Sequence, residues 1–162
     1  WFTLAAEQGH AKAQNWLGLI YRQGKVYVDG KGFLKDDREA VKWFTLAAEQ
    51  GNAQAQTNLG WMYAEGKGVF EDDREAVKWY TLAAKQGYAL AQFYLGEQYA
   101  KGEGVVLDHD SAYMWYTIAS FLGNKDAKSE KEVISWFMTS SQITKAQELS
   151  KQCLNSDYKD CE

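Results

Sequence analysis

No stretch of this 162-residue sequence approaches the roughly 20 consecutive apolar residues that a helix needs to cross a bilayer, so no transmembrane segment is expected. There is no basic excess either: 18 Lys and Arg stand against 22 Asp and Glu, a net charge of -4. That balance gives no field to draw in a phosphate backbone or an anionic membrane, and nucleic acid is not expected as a partner. Histidine occurs twice, at His10 and His109, without an i+4 His or a neighbouring Cys, which leaves zinc without a ligand set. No metal and no cofactor is expected. The chain opens on Trp1 rather than Met, inside half of a repeated unit, so an upstream portion is expected and a signal peptide is not legible.

What is present is a repeat. "DDREAVKWFTLAAEQG", from Asp36, recurs as "DDREAVKWYTLAAKQG", from Asp72, differing at Phe44/Tyr80 and Glu49/Lys85, and a weaker copy begins at Asp108. Trp43, Trp79 and Trp115 mark a period of 36. A second segment repeats as "AKAQNWLGLIYRQG", "AQAQTNLGWMYAEG" and "ALAQFYLGEQYAKG", but Gly18 and Gly60 are 42 apart, so six residues are inserted between the first two copies. Ala55, Leu59 and Met62/Tyr63 in one segment, and Ala76, Trp79 and Ala83 in the other, have the spacing of one buried helical face. Asp36-x-x-Glu39 and Asp72-x-x-Glu75 read as capping boxes. Gly9, Gly51, Gly87 and Gly123 follow one helix, and Gly24, Gly66 and Gly102 the other, as left-handed caps. Gly18, Gly60 and Gly96 fall in helix interiors, where close approach to the Ala40/Ala47 or Ala76/Ala83 row of the partner helix would offset their low propensity.

The pattern A-x-A-x-x-x-L-G-x-x-Y-x-x-G, then G-V-x-x-D, then A-x-x-W-x-x-x-A-A-x-x-G resembles the Sel1-like repeat, a relative of the tetratricopeptide repeat. It is carried here by Ala53, Ala55, Leu59, Gly60, Tyr63, Gly66, Gly68, Val69, Asp72, Ala76, Trp79, Ala83, Ala84 and Gly87, and the match runs from residue 1 to about 123. The sequence departs from the family in having no Pro, with Leu34, Phe70 and Leu107 in the connecting loops. The resemblance implies an all-α superhelix, a solenoid of antiparallel helix pairs. It also implies a scaffold that binds other proteins on its concave surface, frequently in bacterial cell-envelope or host-interaction settings. The expected organisation is one domain over 1–162, with units of about 1–35, 36–71, 72–107 and 108–123, a terminal helix pair over 124–154 and a tail over 153–161. A monomer is the expected state.

Chemistry-bearing motifs are scarce. The glycines around Gly24, Gly30 and Gly32 mimic a phosphate loop, but the spacing is one residue too long and no Ser or Thr follows Lys31. "VYVDGKGF" instead reads as a small hairpin or an excursion between helices, with Asp29-Gly30 suiting a tight primed turn. Tyr27, Asp29 and Lys31 are its candidate contact residues, against the alternative of tolerated surface variation. The clusters Asp36-Asp37-Glu39 and Asp72-Asp73-Glu75 read as helix-start charge, not as metal ligands. No nucleophile, base and acid share a motif, so catalysis is not expected.

Cys153 and Cys161 read as a disulfide that pins the tail, which places the chain in an oxidising periplasmic or secreted setting. The alternative is two free thiols in a cytosolic protein. Partner-facing positions are those rotated away from the buried stripe: Asn15, Trp16 and Leu19, then Thr57, Asn58 and Trp61, then Phe93, Tyr94 and Glu97. Their aromatics suit interface anchors. A carbohydrate- or peptidoglycan-binding module, possibly hydrolytic, is the second functional class, and a passive spacer the third.

Overall fold

The computed structural model describes residues 2–24, 26–28, 31–159 and 161, with backbone alone for 2, 26–28 and 31. The backbone divides into two compact units, Trp1–Asp72 and Asp73–Glu162. The first holds α1 (Phe2–Glu7), α2 (Ala11–Gln23), β1 (Val26–Val28), β2 (Lys31–Phe33), α3 (Asp37–Glu49) and α4 (Ala53–Ala64). The second holds α5 (Asp73–Ala84), α6 (Ala89–Lys101), α7 (His109–Phe121), α8 (Lys125–Ser135) and α9 (Ser140–Asn155). Helices adjacent in sequence pack on one another from α1 to α4 and from α5 to α8, and α9 packs on α7. The fold is all-α, a solenoid of helix pairs, and its described residues include one small hairpin.

Several helices start on a side-chain cap, while α2 and α6 begin at His10 and Tyr88 without one. Asp36 accepts from the amides of Arg38 and Glu39, Asn52 from Ala55, Asp108 from Asp110 and Asn124 from Ala127. These side chains satisfy first-turn donors that the helix itself leaves unpaired. Asp36 forms only half of the expected box: its own amide donates to the Tyr21 carbonyl at 2.9 Å, and the Glu39 carboxylate pairs with Lys42. A complete capping box stands instead at Thr139 and Gln142, ahead of α9.

A buried glutamine sets the pairing of consecutive helices. Gln14, Gln56 and Gln92 donate through Nε2 to the carbonyls of Ala6, Ala48 and Ala84, at 3.2, 3.1 and 3.1 Å. Each acceptor lies at the end of the preceding helix, among carbonyls with no partner inside their own helix. In the first unit Gln50 adds a second tier, its Nε2 donating to Gln14 Oε1 at 2.7 Å. The slot of Gln50 is Gln86 one period on and Leu122 the next, and Gln92 Oε1 is buried without a partner.

Gly18 and Gly96 allow close crossing chiefly against aromatic rings, with the alanine row expected from sequence represented by the Ala112 carbonyl, 3.4 Å from a Cβ on Gly96. A Cβ on Gly18 would sit 2.6 Å from the Phe44 ring, and one on Gly96 would sit 2.8 Å from Tyr116. Phe44 and Tyr116 are buried and fill the space the glycines leave. The buried face of the other helix correspondingly runs Ala76, Tyr80, Ala83 and Ala84, with Trp79 at its margin. In the loops the second glycine of the G-x-G motif meets backbone. A Cβ on Gly68 would overlap the carbonyl of Asp37, and one on Gly104 that of Asp73.

The insertion is an antiparallel hairpin pairing Val26 with Phe33, Tyr27 with Gly32 and Val28 with Lys31. Phe33 anchors it, buried edge-to-face on Tyr21 at 5.1 Å within the cluster of Ala6, Ala13, Leu17 and Ile20. The terminal pair is α8 and α9, packed through Ala127, Ile134 and Ala146 onto α7. Beyond α9, Asp157 and Tyr158 take left-handed φ values of 54° and 63°. The chain then turns back, so that Tyr158 packs on Gly87 and Cys161 bonds Cys153.

Restoring the missing tier is a direct test of the glutamine arrangement. Leu122→Gln should give Gln92 Oε1 a donor and stabilise the protein by about 1 kcal/mol, a rise of roughly 2–4 °C in melting temperature. An unchanged or lower melting temperature would remove the glutamine tiers from the account of stability.

Candidate partner-binding face

In the first unit, a row of amides and one guanidinium connects α2 to α4. Arg22 donates through Nη1 to Asn58 Oδ1 at 3.1 Å, Asn58 donates to Asn15 Oδ1 at 3.2 Å, and Asn15 donates to Gln54 Oε1 at 3.0 Å. The Arg22 guanidinium carbon lies 5.5 Å from the Trp61 ring centroid and 6.0 Å from that of Phe44. Trp61, Asn58 and Leu19 are half-buried, while Trp16 keeps 55% of its surface exposed.

Two of the expected partner-facing residues are not on the surface. Asn15 is 2% exposed, and so is Thr57, whose hydroxyl donates to the Ala53 carbonyl at 2.8 Å. Both lie beside the apolar stripe, and each finds a bond that makes burial tolerable. Their side chains belong to the frame and not to the face. Arg22 and Gln54 belong to the face and escaped the sequence reading. The slot of Arg22 holds Ala64 and Ala100 in the later repeats, and this departure to a charge was the available signal.

The corresponding positions of the second unit have a different chemistry. Tyr94 stacks on Tyr80 at 5.2 Å, and Phe93 lies 5.5 Å from Tyr94 and 6.0 Å from Tyr116. Phe93 and Tyr94 are half-buried, and Phe93 packs against the core of its unit. Glu97 pairs with Lys101 at 3.5 Å. Burial nevertheless holds its carboxyl above the usual range; Lys101 opposes the shift, and Glu130 and Glu103 add to it. The Tyr116 hydroxyl is pushed up as well, by burial and by Glu97 and Glu130.

Of the hairpin candidates, Asp29 and the side chains of Tyr27 and Lys31 lie outside the described residues. Apolar side chains nevertheless stand in solvent at one slot of each connection, with Leu34 at 78%, Phe70 at 96% and Val106 at 86% exposure. Among the described residues no cluster of three His, Cys, Asp or Glu could hold a metal ion, and no helix is long and apolar enough to cross a membrane.

Antiparallel helix pairs, glycine-ended and repeating every 36 residues, define an α/α repeat protein. The Sel1 repeat model matches residues 1–10, 11–52, 53–88 and 89–124, and the chain belongs to the Sel1 repeat family. Sel1 repeats typically mediate protein interaction. The chain is 36% identical to c5321, described as a protective antigen of uropathogenic Escherichia coli strains with this fold, at a TM-score of 0.87. That alignment covers 98% of this chain, which spans about a third (33%) of the E. coli protein. A Sel1 repeat protein from Oxalobacter formigenes is 39% identical over 81% of this chain and 94% of its own, with a TM-score of 0.69. No curated protein matches.

The raised Glu97 pKa yields a pH prediction. A carboxyl raised on folding contributes stability that is complete below its unfolded value and lost as pH rises through the folded value. Wild-type protein should therefore lose melting temperature relative to Glu97→Gln between about pH 4 and pH 7. Parallel profiles for the two proteins would show that Glu97 is not the group responsible.

Proposed function

We propose that the chain is a non-catalytic scaffold that holds a partner protein against the α2–α4 face of the first unit, in an extracytoplasmic compartment. The observation that carries this reading is the placement of Trp16 and Trp61 beside a hydrogen-bonded polar row, on helices whose opposite faces form the core. An outward aromatic flanked by fixed polar groups is the composition of an interface anchor. Phe93, Tyr94 and Glu97 offer a second, more apolar contact in the other unit. The inserted hairpin, fixed at its base by Phe33, is an accessory contact.

Cys153 and Cys161 are bonded to each other, and both are buried. Structural disulfides persist in oxidising compartments, which supports a periplasmic or secreted location. The description of the E. coli relative as a protective antigen points the same way.

Immobilised protein should capture a defined set of proteins from periplasmic or host extracts. The double variant Trp16→Ala/Trp61→Ala should lose them while its circular dichroism stays native. If the variant retained the whole set, the α2–α4 face would be ruled out as the contact.

The location has its own test. Alkylation without reductant should modify no thiol in the folded protein, and Cys161→Ser should destabilise it by about 2–3 kcal/mol, the loop-closure value for so short a bridge. Two reactive thiols in protein isolated from its natural compartment would argue for a reducing environment.

A further inference from the structure

Arg22 is held like a ligand-binding group but serves no ion pair among the described residues. One edge of its guanidinium is occupied by Asn58, and its planar surface lies near Trp61 and Phe44. Nearby carboxylates pair elsewhere, Asp37 with Lys35 and Glu39 with Lys42, and no described carboxylate bonds Arg22. Guanidinium has five donors in a rigid fork that matches a carboxylate. Here the fork is fixed in advance, which lowers the cost of ordering it on binding. Asn58 donates one amide hydrogen to Asn15 and so retains a second, and Gln54, which is exposed, accepts from Asn15 through its oxygen with its own NH2 outward of that bond.

The charge of the ligand follows from the surroundings. Arg22 is the basic residue of the last turn of α2, where the helix end carries partial negative charge. A single cation in that position suits a monoanion better than a phosphate dianion. The neighbouring amides suit a peptide backbone, and Trp16 and Trp61 suit its apolar side chains.

We propose that the α2–α4 face recognises an acidic segment of a partner protein, with Arg22 receiving one of its carboxylates and Asn58 and Gln54 its backbone. This rests on the scaffold reading and names the chemistry of its partner.

Two short peptides with blocked termini and a fluorophore test the proposal, one alternating Glu with Val and the other carrying Gln in place of each Glu. Fluorescence anisotropy against the full chain should show the Glu peptide binding at least about tenfold more tightly, as one charge-assisted bidentate contact requires. Arg22→Gln should abolish the preference, Arg22→Lys should retain part of it, and rising salt should weaken it in the unmodified protein. The salt titration keeps the test valid if Arg22→Gln lowers the melting temperature. Equal affinity for the two peptides, binding of neither, or a preference that survives Arg22→Gln would overturn the proposal. Equal affinities that both collapse in Trp61→Ala would remove Arg22 as the reader of charge while leaving the scaffold reading intact.

Discussion

A glutamine amide lying across two helix ends is the contact on which the rest of the frame depends. The terminal carbonyls of a helix cannot be satisfied from within it, and here those of Ala6, Ala48 and Ala84 are buried by the chain that follows. Gln14, Gln56 and Gln92 meet them from the first turn of the next helix. The same bond crosses the turn between the two helices, spanning eight residues, beside the amides of Gly9, Gly51 and Gly87 that donate to the same carbonyls. On the side toward the following helix, Gly18 and Gly96 each face an aromatic ring, Phe44 and Tyr116, where a Cβ would not fit.

A frame held by buried, repeated contacts leaves other slots free to differ. Leu19, Trp61 and Glu97 occupy one such slot, and Arg22, Ala64 and Ala100 another. Substitution there changes the face without disturbing the helices, so one unit carries a cation among amides while the other carries a half-buried acid among aromatics. Some of the variation reaches the core. Gln98 stands where Ile20 and Met62 pack, and its Oε1 is buried without a partner. A buried polar atom of this kind costs roughly 1–3 kcal/mol, and the apolar neighbours of the same slot show what the frame prefers.

The parts of this structure that are local in sequence were legible in it. The Asp36 cap, the glycines of positive φ and the hairpin pairing of Val26–Val28 with Lys31–Phe33 each depend on residues within a few positions of one another, and the period of 36 stands in the sequence itself. What could not be read depends on which helix lies across the gap. Asn15 and Thr57 are polar and sit beside the apolar stripe, so periodicity places them outward; both are buried, and each is hydrogen-bonded there. The aromatic partners of Gly18 and Gly96 were hidden similarly, since Phe44 and Tyr116 lie one position beyond the tryptophans that mark the repeat most visibly. The Glu39 carboxylate had two local choices, the cap and Lys42, and spacing alone did not decide between them. The polar row from Gln54 to Arg22 joins residues up to 43 positions apart and has no sequence signature beyond a charge in an alanine slot.

The segment after α9 folds back on the unit that precedes it. Repeats bury one another, and a tail of this kind adds contacts to the same stack. Here α9 keeps its buried side on α7 through Ala146 and Ser150, and the chain then reverses at two non-glycine residues in left-handed conformation. Such residues cost free energy by themselves and persist where surrounding contacts determine them. Two contacts do so: the Tyr158 ring on Gly87, and Cys161, buried with Thr81, Lys85 and Trp115 around a cavity of about 280 Å3. The short disulfide to Cys153 holds the tail in register locally. Tyr158 and Cys161 carry that constraint to helices some 70 residues earlier, which ties the last helix of the unit to its first.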